Sequence, residues 1–219
     1  MSSQDLSRLE RLCRQLPPSL QGHCRRVGQI AGEFVQYLLE RGDCPFPLCT
    51  GAPLRAEQAG RYHDIGKCAL PESIWTSARP LTAVEKKLMW AHPLLGALLI
   101  GGRVQSTAAQ RERCQGDWQG KLAWCCQCHH ERWDGAGYPL GLAGEEIPLL
   151  ARVVSLADSY DAMTQRRPYR DPVSREAALK EIRQKGGQQF DPVLADLFCR
   201  AMAGDALPLN VGGGPPLSR

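Results

Sequence analysis

The histidines of this chain constrain its fold more than any other residue type. The chain has only five histidines in 219 residues, and all of them fall into one His/Asp set that could fill a two-metal centre. The set comprises His23, His63, Asp64, His92, His129, His130, Asp158 and Asp161. A single buried histidine is more often an ordinary core residue than a metal ligand, but here no histidine lies outside the set. The first hypothesis is therefore a metal site built from distant parts of the chain.

Composition narrows the class of protein. Residues 1–10 are polar and no run approaches the ~18 apolar residues of a membrane helix, so we expect a cytoplasmic protein that does not bind membranes. A net charge of +4 does not argue for a nucleic acid polymer as partner. Without a signal peptide, the ten cysteines are expected to be reduced. The cluster Cys114, Cys125, Cys126 and Cys128 lacks the separated pairs of a zinc ribbon, which favours packing or redox sensitivity over zinc.

The apolar residues predict helices. They recur at spacings of three and four in residues 27–39, 83–100, 149–163 and 192–202. A capping box of Thr82 and Glu85 predicts one helix start. Gly42 and the pair Gly101 and Gly102 predict helix ends. No segment alternates convincingly as a strand would, so we expect an all-α helical bundle of about six to eight helices with the metal centre in its core.

The chain is expected to form one main domain. Residues 1–17 are a helical lead-in and residues 18–209 form the domain. Residues 103–122 are polar and interrupted by glycines, which suggests an insertion on the surface. Residues 210–219, rich in Gly and Pro, are expected to be a disordered tail. Because the lead-in is too short for a sensory domain, any regulation is expected to act in trans.

Two local patterns suggest how the histidines could converge. His63 and Asp64 are neighbours, and neighbouring side chains diverge on a helix but can approach one ion at a helix end. Gly66 would allow the turn that follows. His129 and His130 precede a run with two glycines and a proline, which forces the chain to leave its helix sharply.

The remaining carboxylates and arginines suggest the chemistry. Asp158 and Asp161 are three residues apart in a predicted helix, so one could bind a metal while the other positions water. Imidazole and carboxylate ligands without thiolate suit Fe, Mn or Zn rather than Mg or Ca. Two such ions about 3.5 to 4 Å apart can clamp a phosphodiester and activate water for its hydrolysis. The arginines that follow, Arg166, Arg167 and Arg170, would hold phosphate oxygens.

A series of motifs runs in order from His23 to Pro192. The motifs are His63-Asp64-Ile65-Gly66-Lys67, His92-Pro93, residues 129–139, Asp158 with Asp161, residues 167–170 and residues 189–192. This series resembles the HD-GYP family, a branch of the HD phosphohydrolases whose characterised members hydrolyse cyclic di-GMP. The resemblance implies an HD-type helical bundle and a metal-dependent cyclic di-GMP phosphodiesterase that gives pGpG, GMP or both.

The resemblance also implies a ligand set for two divalent ions, Fe or Mn by preference and Zn as an alternative. Each ion takes three ligands of its own: His23, His63 and Asp158 for one, and His92, His129 and His130 for the other. Asp64 bridges the two ions. Some members of the family bind a third metal through a glutamate four residues before the first histidine, and Ser19 stands there in this chain. That difference favours a binuclear site.

Further roles follow from the same resemblance. Lys67 would lie beside the metals, where it assists protonation or contacts phosphate. Asp64 and Asp161 complete the catalytic group, Asp161 by orienting the attacking water or a neighbouring ligand. Arg167 and Arg170 would hold the substrate phosphate.

Two other functions remain open. Gly137, Tyr138 and Pro139 are expected to form a surface-exposed signature, which the family links to contacts with a diguanylate cyclase domain or a sensory protein in trans. The chain could therefore be a signalling adaptor that binds a cyclic dinucleotide or such a domain with little turnover. It could also be an HD phosphohydrolase for another nucleotide, because Arg166 stands where the family often has an acidic or small polar residue.

Overall fold

The computed structural model describes residues 2–41, 44–75, 79–101, 117–166 and 171–204. In these ranges the chain forms ten α-helices, two short 3-10 helices and no named strand. The α-helices are α1 (Ser3–Cys13), α2 (Pro18–Glu40), α3 (Ala52–Tyr62), α4 (Glu72–Trp75), α5 (Ala83–Met89), α6 (His92–Leu99), α7 (Trp118–Cys128), α8 (Leu149–Thr164), α9 (Arg175–Gln184) and α10 (Pro192–Ala203). The 3-10 helices are Ile65–Ala69 and Gly144–Glu146. The predicted all-α class is confirmed, although the helices are more numerous than predicted.

Three of the four predicted helical segments match the structure and one does not. Residues 27–39 lie inside α2, and residues 149–163 and 192–202 coincide with α8 and α10. The prediction of one helix over residues 83–100 was wrong, because the chain breaks after Met89 and restarts as α6. Pro93 stands in the first turn of α6, where its missing N–H cannot continue the hydrogen bonds of α5. The predicted capping box is present, with the Thr82 hydroxyl accepting from the Glu85 N–H.

The apolar faces of α2, α3, α8 and α10 meet in the main core. Phe34 of α2 packs edge-to-face on Phe198 of α10, with ring centroids 5.1 Å apart. Tyr160 of α8 packs on the same ring at 5.6 Å. Full burial of a side chain such as Phe34 contributes about 1.5 to 3 kcal/mol. The long helices therefore share one core, and His23 of α2 and Asp158 of α8 stand on two of them.

Helices α2 and α3 cross at two glycines. A Cβ added to Gly60 would lie 2.7 Å from the Cα of Gly28, and one added to Gly28 would lie 2.6 Å from the Glu57 carbonyl oxygen. Only glycine fits at such a backbone contact. Because the helices run in opposite directions, this crossing brings the start of α2, with His23, beside the end of α3, with His63.

Gly66 serves a different purpose from the one predicted. The prediction was that it allows a turn, but it is not among the glycines with positive φ. Instead, a Cβ added there would collide with the His92 carbonyl oxygen and would lie 2.5 Å from the Gly96 nitrogen. The missing side chain thus lets α6 approach the 3-10 helix that follows Asp64.

The predicted insertion, residues 103–122, ends earlier in the sequence than expected. Residues 102–116 lie outside the described ranges, but α7 begins at Trp118 and its N-cap Asp117 accepts a 2.6 Å hydrogen bond from the Gly120 N–H. Gly120, predicted to interrupt the chain, therefore belongs to a helix. Gly101 ends α6 with a φ of +90°, as predicted.

Three further sequence predictions concern residues that the structure does not describe. Gly42, Gly102 and the tail of residues 210–219 lie outside the described ranges. Among the helices that the structure describes, none combines the length and apolar character needed to cross a bilayer.

Candidate metal centre

Histidine and aspartate side chains from five helical segments converge at one buried point. Two groups offer ligand atoms that lie within 4.8 Å of one another in each group. One group is Asp64, His92, His129 and His130, and the other is His23, His63 and Asp158. These are the sets that the family resemblance implied for the two ions. The convergence is observed, while the assignment of each residue as a ligand stays a prediction.

The end of α3 places two ligand candidates side by side. His63 is the C-cap of α3 with φ −55° and ψ −38°, and Asp64 then turns to φ −97° and ψ 7° to start the 3-10 helix. Both side chains point inward as a result, with His63 Nε2 3.4 Å from Asp64 Oδ2. The prediction that a helix end lets neighbouring side chains converge agrees with this geometry.

Three of the histidines are oriented by the same local hydrogen bond. Each places Nδ1 against the carbonyl oxygen three residues earlier, at 2.6, 2.7 and 2.6 Å. The pairs are His63 with Gly60, His92 with Met89, and His129 with Cys126. A carbonyl can only accept, so the proton lies on Nδ1 and the lone pair of Nε2 faces the centre. This is the tautomer in which a histidine binds a metal through Nε2.

The facing atoms suit a cation. His92 Nε2 lies 3.1 Å from Asp64 Oδ1 and 3.3 Å from His129 Nε2, which places hydrogen-bond acceptors against one another. His63 Nε2 and Asp64 Oδ1 are buried without a hydrogen-bond partner. Buried lone pairs of this kind are normally satisfied. Divalent ions held by the two groups would satisfy them, so the residues fit a metal centre.

Asp158 and Asp161 bracket the imidazole of His23. Asp158 Oδ1 lies 3.2 Å from His23 Nε2, whereas Asp161 Oδ2 lies 2.7 Å from His23 Nδ1. Arg26, one turn further along α2, holds Asp161 through Nε at 2.6 Å and through a second nitrogen at 3.0 Å. Asp161 therefore lies on the Nδ1 side of His23, opposite the nitrogen that faces Asp158. This geometry favours a role in orienting His23 over a role in orienting water.

The ionisation of the histidines differs across the centre. Burial lowers the pKa of His63 and His129, and it lowers that of His130 to about 3. Burial acts in the same direction on His23, but the hydrogen bonds to Asp158 and Asp161 outweigh it and raise its pKa to about 9. His63, His129 and His130 are thus held neutral, as metal ligands must be.

The carboxylates are held ionised. Burial acts to raise the pKa of Asp64, but Lys67 and the surrounding histidines hold it well below its usual range. The hydrogen bond from His23 likewise keeps the pKa of Asp158 low against the effect of burial. Lys67 Nζ lies 2.5 Å from Asp64 Oδ2, so the predicted lysine does lie beside the centre.

The loop after His130 is folded against the centre. Buried Glu131 accepts hydrogen bonds from the backbone N–H groups of Leu140 at 2.7 Å and Leu142 at 3.0 Å, which closes the loop. The Tyr138 ring stacks on His130, with centroids 4.9 Å apart and planes inclined by 27°. Residues 137–139, expected to form a surface-exposed signature, are all partly buried and partly exposed.

The predicted phosphate clamp is only partly described. Arg167 and Arg170 lie outside the described ranges. The Arg166 side chain is 84% exposed, and it lies 3.8 Å from Asp171, itself exposed. No contact of Arg166 with the centre is observed.

The cysteines near His129 are core residues. Cys125, Cys126 and Cys128 are buried, and burial raises the pKa of the Cys125 and Cys126 thiols. The Cys126 thiol donates to the His63 carbonyl oxygen at 3.0 Å. These contacts favour packing over zinc binding or thiolate reactivity. Cys114 lies outside the described ranges.

Sequence reasoning missed two residues near the centre. Arg26 follows His23 by three positions on α2, a spacing that places both on one helix face and could have indicated it. Trp90, which stacks on Tyr138 from a segment far away in the chain, left no such signal.

The sequence profile of the HD domain family matches residues 17–194. The chain belongs to the HD domain family. That confirms the family indicated by the sequence motifs. A solved HD-domain structure from Bdellovibrio bacteriovorus, described as an HDG"Y"P protein, superposes with a TM-score of 0.57 at 18% identity over 83% of this chain and 52% of that one. Similarity at this level concerns the fold alone.

Two curated relatives are named as phosphodiesterases of cyclic dinucleotides. A cyclic di-GMP phosphodiesterase response regulator of Xanthomonas campestris is 34% identical over 204 residues, which is 90% of this chain and 47% of that protein. A 3′3′-cGAMP-specific phosphodiesterase of Vibrio cholerae is 32% identical over 145 residues, or 65% of this chain and 25% of that protein. The chain therefore spans less than half the length of these relatives.

Proposed function

We propose that the chain is a metal-dependent phosphodiesterase that hydrolyses cyclic di-GMP to pGpG, GMP or both. The observation that carries this proposal is the pair of ligand groups that meet at the ionised carboxylate of Asp64. The Xanthomonas relative, named for this activity, supports the choice of substrate. The proposed ions are two per chain, Fe or Mn by preference and Zn as an alternative, because imidazole and carboxylate ligands accept each of them.

The residues of the centre have distinct proposed roles. Ions held by the two groups would supply Lewis acidity and lower the pKa of a bound water. Asp64 would join the groups, since its two oxygens face His92 and His63 separately. As water adds to phosphorus, the bond to the 3′ oxygen breaks and that oxygen needs a proton or a hydrogen bond. The Lys67 ammonium group, already beside Asp64, would serve this oxygen or a phosphate oxygen.

Other assignments in the proposal rest on the sequence. Arg167 and Arg170 are proposed to hold the substrate phosphate, as in the family that the chain resembles. A cytoplasmic location and a partner in trans, such as a diguanylate cyclase domain or a sensory protein, also stay predictions. The partial burial of Tyr138 against His130 gives less support to the adaptor hypothesis than an exposed signature would.

A second candidate substrate is another cyclic dinucleotide. The Vibrio relative named as specific for 3′3′-cGAMP is the observation that favours it. Both substrates have the same phosphodiester chemistry and differ in one base. Parallel assays with the two dinucleotides separate these candidates.

The deciding experiment is hydrolysis by protein purified anaerobically, with bound metal counted on the same sample and Mn or Fe(II) added back. We expect conversion of cyclic di-GMP with about two ions per chain. His63→Ala and Asp64→Ala should abolish turnover and reduce metal content, whereas Asp196→Ala, a half-exposed carboxylate on α10, should leave both unchanged. Full hydrolysis by the Asp64 variant would contradict the proposed centre. Partner binding that survives these changes but not Tyr138→Ala would support the adaptor.

A further inference from the structure

Three aromatic rings form a continuous stack from the metal centre to the surface. Tyr138 lies over His130, and Trp90 lies over Tyr138 with ring centroids 5.4 Å apart and planes inclined by 28°. His130 belongs to one of the ligand groups, whereas Trp90 is 52% exposed. The stack therefore ends in an indole that solvent can reach.

The core of the fold does not account for this position of Trp90. The residue is the C-cap of α5, a helix without a single buried residue. Its backbone is nevertheless fixed, because its N–H donates to the Lys86 carbonyl oxygen at 3.0 Å. With one face against Tyr138, the indole is held in place and its outer side remains accessible.

Ring stacking suits a nucleotide base. Every base has a π-face, and aromatic side chains bind bases through it with little dependence on sequence. The indole lies two ring spacings from His130, so a base on Trp90 and a phosphate at the metal centre could belong to one cyclic dinucleotide but not to a single nucleotide. Lys86 and Lys87, exposed and one helical turn before Trp90, add positive charge that suits an anionic ligand.

We propose that Trp90 is a stacking platform for a purine base of the nucleotide substrate, with Tyr138 supporting its inner face. This inference rests on the proposed function, because it takes the ligand to be a cyclic dinucleotide. It adds a binding residue for the base to a centre whose other groups act on the phosphate. Substrate affinity then depends on a residue that belongs to neither ligand group.

The experiment compares Trp90→Ala, Trp90→Phe and, as the matched control, Leu88→Ala, an exposed apolar residue of the same helix. We expect Trp90→Ala to raise KM for cyclic di-GMP by about tenfold while kcat changes less than about twofold. Trp90→Phe should recover most of the loss, and Leu88→Ala should match the wild type. Metal content should not change. Inhibition by inorganic phosphate, which has no base, should also be the same in all variants.

An unchanged KM for Trp90→Ala would overturn the inference. So would loss of metal or weaker phosphate inhibition in that variant, because the residue would then act through Tyr138 and His130. If the wild type does not hydrolyse cyclic di-GMP, the proposed function fails, and equilibrium binding of this dinucleotide to metal-loaded protein decides about Trp90. Affinity about tenfold weaker in Trp90→Ala would support the platform, whereas equal affinity or no binding would overturn it.

Discussion

The two carboxylates around His23 have the same residue type and lie on the same face of α8, yet they contact opposite nitrogens. Asp158 reaches Nε2 and Asp161 reaches Nδ1, and only Asp161 is held by Arg26. The sequence spacing predicted the shared face correctly. It could not assign the two roles, because these depend on where His23 enters from another helix. In the structure the two carboxylates differ in the nitrogen of His23 that each approaches.

Arg26 should matter for metal binding although it is outside the ligand groups. In Arg26→Ala the Asp161 carboxylate loses its bidentate partner and orients His23 less firmly. We expect the affinity of the group containing His23 to fall by about 10- to 100-fold, so that about one ion per chain remains at limiting metal. The metal affinity of Arg26→Lys should lie between those of the wild type and Arg26→Ala, because an ammonium group lacks the planar fork of the guanidinium. Metal titration of each variant checks this.

The neighbouring Arg25 provides the control for that titration. Its side chain is exposed on the same helix turn, so Arg25→Ala removes an equal charge without touching Asp161. Wild-type metal binding is expected for this variant. If both substitutions weakened binding equally, the effect would come from net charge and not from the orientation of His23.

At the scale of elements, the contact between the first 3-10 helix and α6 places Asp64 against His92. Gly66→Ala puts a methyl group into the backbone of α6, at the His92 carbonyl oxygen and the Gly96 nitrogen. Because backbone atoms cannot move aside as a flexible side chain can, we expect a loss of about 1 to 3 kcal/mol. That corresponds to a melting temperature lower by about 2 to 10 °C in metal-free protein. Thermal unfolding in the presence of a chelator measures it.

Gly51→Ala is the matched control for this substitution. A Cβ added to Gly51, which precedes α3, meets no atom within 4 Å, and its φ of −86° is open to any residue. We expect the melting temperature of this variant to be within about 1 °C of the wild type, since surface substitutions of this kind have small effects. A similar loss in both variants would mean that the contact with α6 is not the cause.

The elements were predictable where apolar periodicity is long and uninterrupted, as in α2 and α8. One helix was wrongly predicted over residues 83–100, because the apolar pattern continues through a break that Pro93 imposes on the backbone. Gly66 was noticed, but its role was taken from the local conformation of the chain. Its real constraint is a contact with α6, and such contacts between segments cannot be read from neighbours in sequence.

At the scale of the whole molecule, the proposed metals would connect segments from α2 to α8. Ligands that bind only the folded state stabilise it, by about 4 kcal/mol when free metal is a thousandfold above its dissociation constant. We therefore expect removal of metal with a chelator to lower the melting temperature on the order of 10 °C. Calorimetry of metal-loaded and chelated protein tests this. His63→Ala, which lacks a central ligand, should respond much less to the chelator, and an equal response would contradict the proposed site.

The overall fold and the residues that converge were largely predictable, for a chemical reason. Histidines and acidic residues in a fixed order are rare enough to indicate a family, and the family implies the bundle. The supporting contacts were not predictable in the same way. Arg26 with Asp161 and Trp90 with Tyr138 join residues far apart in the chain, so they exist only once the helices have packed.

Two glycines at the crossing of α2 and α3 have no functional group, yet they influence the geometry of the proposed metal centre. The separation of His23 and His63 follows from how closely Gly28 and Gly60 let the two backbones approach. A methyl group at either glycine would push the helices apart, and the two imidazoles with them. The distance between the two imidazoles, and so the space for an ion, therefore depends on Gly28 and Gly60 having no side chain, although Gly28 lies more than one helical turn from His23. A comparison of the polar residues alone would therefore miss the two glycines that set the separation of His23 and His63.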